Sequence, residues 1–406
     1  MMNKRASIAL FAIQIACLLA AGAGMGQSVF GLNYLGEHVY DGGSRYRALA
    51  YSALAVPDTN GVLTQNPASR ADLSAVTFSI VEVLDMSRIR TEYEIANQSR
   101  YNLPQIMIAV PLRKGLVFSS GYITGFMGRG DASYSAAVEE ASSYKEIYAH
   151  RSSLFTVPLT ISWKPLDWAG IAASFELERG SIRNDITIDF IQPGYDDSEF
   201  SRIRSFSGNS WSAAFLLRLH PRLYFAGLWN GEVRYEVEET MSYTRSEFDS
   251  AAVWDTTLPA AFGVGLSVGL SERWWLSSQY WRREEPDPTG FPQLAGNLGD
   301  ESMVAVGLER RTSEEGGFLK RIPLRLGFYQ NRWHFEIPGG EAVVSRFFTV
   351  GTSLSLPDER GGIDVSLELG QVGSVESNGV DERMARIGIG FNVSEPWSRR
   401  TEGSRY

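Results

Sequence analysis

The chain has 406 residues, 44% hydrophobic and 12% aromatic, with 40 glycines and a single cysteine. That length holds one large domain or two ordinary ones, and the composition is that of a folded chain. A formal net charge of −9 argues against a nucleic-acid partner, because phosphate binding needs a basic face.

In chain order, Lys4 and Arg5 precede an apolar run from Ala6 to Ala21 and then the small-residue stretch GAGMG. Basic, apolar and small regions in that order are the layout of a secretory signal peptide, so residues 1–26 are expected to be removed by a cut after Gly26. A lipoprotein reading through Cys17 is the alternative, with Gln14 a poor residue three places ahead of it. Cys17 is the only cysteine, so a cut after Gly26 leaves no disulfide and no thiol chemistry. Beyond Gly26 no uninterrupted apolar run approaches the roughly 20 residues of a membrane helix.

Residues 27–72 show no clean alternation, yet they are too apolar for a solvated linker, so a folded segment is expected. Asn66 suits a helix N-cap and Pro67 the first helical position, which predicts a short helical turn over 67–72.

From residue 73 to 394 the pattern changes to period two. SLFTVPLTISW sets Phe155, Val157, Leu159, Ile161 and Trp163 against Thr156, Pro158, Thr160 and Ser162. TTLPAAFGVGLSVGL sets Leu258, Ala260, Phe262, Val264, Leu266, Val268 and Leu270 against a row of small residues. About fourteen such runs occur: 73–84, 102–112, 115–127, 153–164, 167–182, 207–219, 222–237, 256–270, 273–284, 300–312, 321–332, 345–357, 361–373 and 384–394. Short links such as RKG, KPLD, HPR and SER alternate with long polar ones such as RNDITIDFIQPGYDDSEFSRIRS.

An even strand count, alternating link lengths and one wholly apolar face predict an all-β fold, a transmembrane antiparallel β-barrel of about fourteen strands. Hydrocarbon leaves no room for unpaired backbone, so a spanning sheet must close on itself. The apolar rows, Leu258 to Leu270 among them, are then expected to face lipid and the small rows the lumen. The competing reading is a soluble β-sandwich or propeller; strands of 10–15 residues and aromatic pairs near strand ends weigh against it. Those pairs are Trp163 with Trp168, Trp274 with Trp275 and Tyr280 with Trp281, together with Trp333.

Residues with chemistry are few. His38 falls in the N-terminal segment, His150 and His334 in expected external loops and His220 in a short turn, with no recognisable triad or metal spacing. GFMGRGD, 125–131, lies at the end of an expected strand and reads as flexibility. No enzyme activity, cofactor or metal is expected. Glu176, Glu178, Arg218, Glu309, Arg325, Asp364, Glu368 and Arg386 fall opposite lipid-facing positions, as lumen charges that hold the segment or meet a solute head group.

The stretch RALAYSALAVPDTNGVLTQNPASRADL resembles the N-terminal hatch of the outer-membrane long-chain fatty-acid transporter superfamily, the FadL/TodX group with its PorV/PorQ-like branch. Arg47, Ala48, Leu49, Ala53, Asp58, Asn66, Pro67 and Ala68 match its order and spacing; Ala50 and Ser69 stand where that pattern often has glycine. The resemblance implies that 27–72 is a hatch inside a barrel of residues 73–394, leaving 395–406 as a tail. It also implies passive uptake of hydrophobic small molecules across the outer membrane. Exit would be sideways near a kink in the third strand, for which Gly121 and Gly125 are the candidates. The alternative within the superfamily is a PorV/PorQ-like component of protein secretion or surface attachment. A barrel enzyme such as a lipid deacylase lacks a Ser/His pair.

Overall fold

The computed structural model describes residues 28–32, 34–40, 42–57, 61–138, 141–190, 196–244, 250–289, 291, 297–312, 322–336, 341–356 and 361–395. The expected signal peptide, Asp58 and the tail beyond Glu395 lie outside the described residues.

Period-two alternation becomes fourteen antiparallel strands. They are β1 (Val76–Thr91), β2 (Ile95–Arg113), β3 (Leu116–Val138), β4 (Ala141–Leu166) and β5 (Ala169–Phe190). β6 (Ser198–His220) is followed by β7, in two pieces (Leu223–Asn230 and Val233–Tyr243), and β8, also in two (Ser250–Leu258 and Ala261–Gly269). Then come β9 (Trp274–Arg283), β10 (Glu301–Arg310), β11 (Leu324–Glu336), β12 (Ala342–Ser355), β13 (Gly361–Val372) and β14 (Val380–Glu395). β14 pairs with β1 from Val380↔Thr91 to Glu395↔Val76, so the sheet closes on itself.

The lower half of the wall is apolar outside and small or polar inside. On β4, Leu159, Ile161 and Trp163 are exposed while Thr160 and Ser162 are buried. From Phe155 to Trp163 is eight steps of about 3.3 Å, or roughly 20 Å of height at a tilt of about 40°. That matches a hydrocarbon belt.

Above the belt the pattern inverts. On β7, Val233, Tyr235 and Val237 are buried in the lumen, and Arg234, Glu236 and Glu238 are exposed. Ile182, Phe206, Leu154 and Phe126 join them in one apolar core inside the barrel mouth. Polar residues face outward there because water, not lipid, surrounds that part of the wall. This is why several strands run on into stretches expected as loops: RNDITIDF ends β5 and SEFSRIRS begins β6.

Three expectations are corrected. Leu258 does not face lipid: it is buried in the luminal core, whereas Phe262, Val264, Leu266 and Leu270 are exposed. β8 breaks at Pro259–Ala260, and the inward parity passes from Thr256 and Leu258 to Ala261, Gly263 and Gly265. β7 breaks beside it at Gly231–Glu232, with Ala261↔Asn230 and Leu258↔Val233 flanking the two interruptions. Trp281, Trp333 and Trp275 also point inward and form no interfacial girdle; Trp163, Trp168 and Trp274 are exposed. Finally, His150 and His334 lie within β4 and β11, each 2% exposed, and GFMGRGD runs through the middle of β3.

Candidate functional site

The described residues between 28 and 73 lie in the lumen. A 3-10 turn, Val29–Leu32, sits in the mouth, where Phe30 packs on Trp333 and Phe335 and Tyr34 on Phe291. The chain then descends past Ser44–Arg47 and residues 48–56 to a second 3-10 helix, Pro67–Asp72, near the short turns. There Lys164, near the end of β4, bonds Asp72.

The small luminal row seen in the sequence is where this segment passes close to the wall. A Cβ on Gly265 would meet Leu54 Cβ at 2.9 Å, one on Gly327 would meet Ala50 N at 2.8 Å, and one on Gly307 would meet Leu49 O at 2.8 Å. Ala50 and Tyr51 both have left-handed backbone, φ 54° and 62°. That explains why glycine suits position 50, since a Cβ there costs about 1–2 kcal/mol.

The luminal charges form a latch. Arg386 of β14 bonds Glu37 and lies 3.3 Å from Asp85 of β1. His38 and the Tyr40 hydroxyl share Glu301 of β10, at 2.8 and 2.7 Å. Arg47 donates at 2.8 Å to Glu368 of β13, the residue directly opposite Arg386, and the hydroxyls of Tyr51 and Tyr329 donate to the same carboxylate. Burial pushes the Tyr51 phenol above its ordinary range, so it stays protonated and donates. Glu309 of β10 receives Arg325 at 2.8 Å and Arg45 at 3.1 Å. At the inner end, Asn66 accepts from Ala68 N and donates to Leu54 O and Phe215 O; Ser162 donates to Pro67 O.

Of the residues singled out in the sequence, Arg47, Glu309, Arg325, Glu368 and Arg386 come together in this latch. Asn66, Pro67 and Ala68 form the capped turn below it. Glu176 stands apart, accepting from Ser212 and Ser210 beside Glu178 in a polar cavity of about 140 Å³. Arg218 is exposed near the β6–β7 turn and joins neither group.

The wall itself opens at one seam. β2 and β3 pair from Arg113↔Leu116 only as far as Gln105↔Ile123. Above that, β2 stays with β1 and β3 stays with β4, and among the described residues no pairing joins β2 to β3. Pro104 follows directly in β2 and has no N–H with which to extend the ladder. Opposite, β3 bulges at Gly125 between Thr124↔Phe155 and Phe126↔Leu154.

The N-terminal segment covers the bared edge of β3. Glu37 and His38 pair with Met127 and Phe126, and Val39 N donates to Gly125 O at 2.8 Å. Behind it lies a cavity lined by His38, Tyr40, Asp85, Arg100, Asn102, Pro104 and Thr124. Gly125 thus sits at the seam, with Leu154 O 3.7 Å from where a Cβ would be. Gly121 sits below it, pressed against Met107 with its would-be Cβ 2.8 Å from the Met107 Cα. Pro104 carries as much of the seam as either glycine, and its place inside an apolar run was the available signal.

Three solved structures share this architecture. A Pseudomonas aeruginosa FadL homologue matches with a TM-score of 0.60 at 9% identity, covering 89% of this chain and 99% of that one. The Pseudomonas putida toluene transporter TodX matches at 0.60 and 14% identity, covering 89% and 99%. The Ralstonia pickettii toluene transporter TbuX matches at 0.59 and 14% identity, covering 87% and 98%. TM-scores near 0.6 over almost the whole of each chain establish the fold alone: this chain has the barrel-and-hatch fold of these structures. A family model described as BamG matches residues 230–402, and no curated protein matches.

Proposed function

We propose that this chain is an outer-membrane channel for passive uptake of hydrophobic small molecules, such as long-chain fatty acids or aromatic hydrocarbons, with sideways exit at the β2–β3 seam. The segment 27–72 is its hatch, residues 73–394 are its barrel, and a signal peptide cleaved after Gly26 exports it. The observation that carries this reading is the seam. A closed barrel wall keeps its backbone groups paired between neighbouring strands, yet here the ladder stops at Gln105↔Ile123, at the upper rim of the apolar belt, and a two-residue strand of the N-terminal segment takes its place. An apolar solute leaving there would enter lipid without crossing water. Its driving force is the solute gradient.

The test is uptake of labelled oleate and of toluene by cells carrying Gly125→Val. The added side chain stiffens the bulge that bares the β3 edge, so uptake is expected to slow while the barrel still assembles. Normal uptake by a correctly assembled variant removes the lateral route.

A second reading keeps the barrel and drops transport, making it a PorV/PorQ-like docking component of secretion or surface attachment. The latch favours it: ion pairs of Glu37, Arg45 and Arg47 with Arg386, Glu309 and Glu368 of the wall hold the segment in the lumen. Co-purification of a large secreted protein, with growth on fatty acids unaffected by deletion, would select this reading.

A further inference from the structure

Outside the lumen, three arginines lie side by side across three strands. Arg129 of β3 is directly opposite Arg151 of β4, and Arg151 is directly opposite Arg183 of β5. All three point outward. Gly128 and Gly130, on either side of Arg129, face Gly31 and Leu32 of the N-terminal segment, and Arg151 is exposed between buried His150 and Ser152.

Directly opposed like charges on one sheet face repel and destabilise the pairing. Asp185 offsets only Arg183, at 2.8 Å. Among the described residues Arg129 and Arg151 have no carboxylate partner, and Arg129 Nε is buried without an acceptor. Asp131 of β3 and Asp185 of β5 stand in the next outward row, but only Asp185 pairs, with Arg183, which leaves the arginine row open at Arg129 and Arg151 to an anion from outside the chain.

Its height says which kind. On β4 the outward positions run Trp163, Ile161, Leu159, Val157 and Phe155, then Ser153, then Arg151. The arginines thus begin two outward positions above the last lipid-facing side chain, within reach of head groups for a side chain that lays its stem on apolar surface. Guanidinium groups match phosphate oxygens in paired hydrogen bonds. We propose that the Arg129–Arg151–Arg183 row binds the phosphate groups of an acidic lipid in the outer leaflet. It needs the barrel to sit in a membrane and is independent of what crosses the lumen.

The full-length protein in nonionic detergent is titrated with bisphosphorylated lipid A and followed by native mass spectrometry and thermal melting. The same lipid stripped of its phosphates and inorganic phosphate serve as the other two ligands. Wild type is expected to retain lipid A and melt higher in its presence. The Arg129→Gln/Arg151→Gln variant should bind about tenfold or more weakly, the loss expected for charge-assisted bonds. Without lipid it should melt no lower than wild type, because it loses a repulsion. Arg151→Lys should recover part of the affinity, and Arg234→Gln, on the outer face of β7, should change nothing. Equal retention of the dephosphorylated lipid, or by the double variant, overturns the proposal. So does inorganic phosphate binding as tightly as lipid A, which would make the row a soluble-anion site. If the double variant fails to assemble, Arg151→Gln alone gives the same comparison.

Discussion

Arg47 of the hatch donates through Nη1 to Glu368 Oε1 of β13 across 2.8 Å, with the arginine 4% and the glutamate 0% exposed. A charge taken that far out of water is tolerable only when it is paired and its other lone pairs are used. Tyr51 and Tyr329 supply the remaining donors, so one carboxylate ties the hatch to two strands of the wall.

Glu368→Gln should therefore loosen the hatch. It leaves Arg47 buried without its counter-charge, a loss of about 3–5 kcal/mol by analogy with broken buried pairs. Urea unfolding in detergent should show a lower midpoint, and single-channel recordings should show more frequent openings. An unmoved midpoint together with a silent channel would falsify the latch.

The two candidate glycines of β3 should behave oppositely. A Cβ on Gly121 overlaps the backbone of Ile106 and Met107, so Gly121→Val should push β3 off β2 and prevent the folded, heat-modifiable band on gels. A Cβ on Gly125 meets nothing nearer than 3.7 Å, so Gly125→Val should assemble normally. If both variants assembled alike, the close packing of β2 on β3 at Gly121 would be wrong.

Ala50→Gly should stabilise the protein by about 1 kcal/mol. The residue is held at φ 54°, where a Cβ is strained, and removing it relieves more than the unfolded chain gains in freedom. A raised unfolding midpoint checks this; a lowered one means that the Ala50 packing against Gly327 outweighs the strain.

Asn66→Ala removes the cap of the Pro67–Asp72 turn and leaves Ala68 N and Leu54 O without their side-chain partner. The expected cost is about 2–3 kcal/mol, from a lost cap and buried polar groups left unpaired. Faster proteolysis of the hatch at unchanged barrel stability would place the whole effect in the lumen. Wild-type behaviour in both assays would show the cap to be dispensable.

Much of the barrel was legible in the sequence because strand alternation is a local property. Each of the fourteen apolar runs became a strand, and Asn66–Pro67 became a capped turn. The upper halves were hidden because their polarity is reversed there. Val233, Tyr235 and Val237 are apolar toward the lumen, and the breaks at Gly231–Glu232 and Pro259–Ala260 shift the parity between the halves. A single period fitted through Leu258 to Leu270 therefore assigns Leu258 to the wrong face.

Period-two alternation alone makes one face of these strands greasy and obliges the sheet to close, since side chains two apart share a face whatever the rest of the chain does. How the lumen is held and where the wall parts depend on the folded chain. Arg47 and Glu368 are 321 residues apart, and Glu37 meets Arg386 across 349. The seam exists because Pro104 on one strand and the Gly125 bulge on the next reach the same height. Such coincidences depend on register between strands, which no local pattern records.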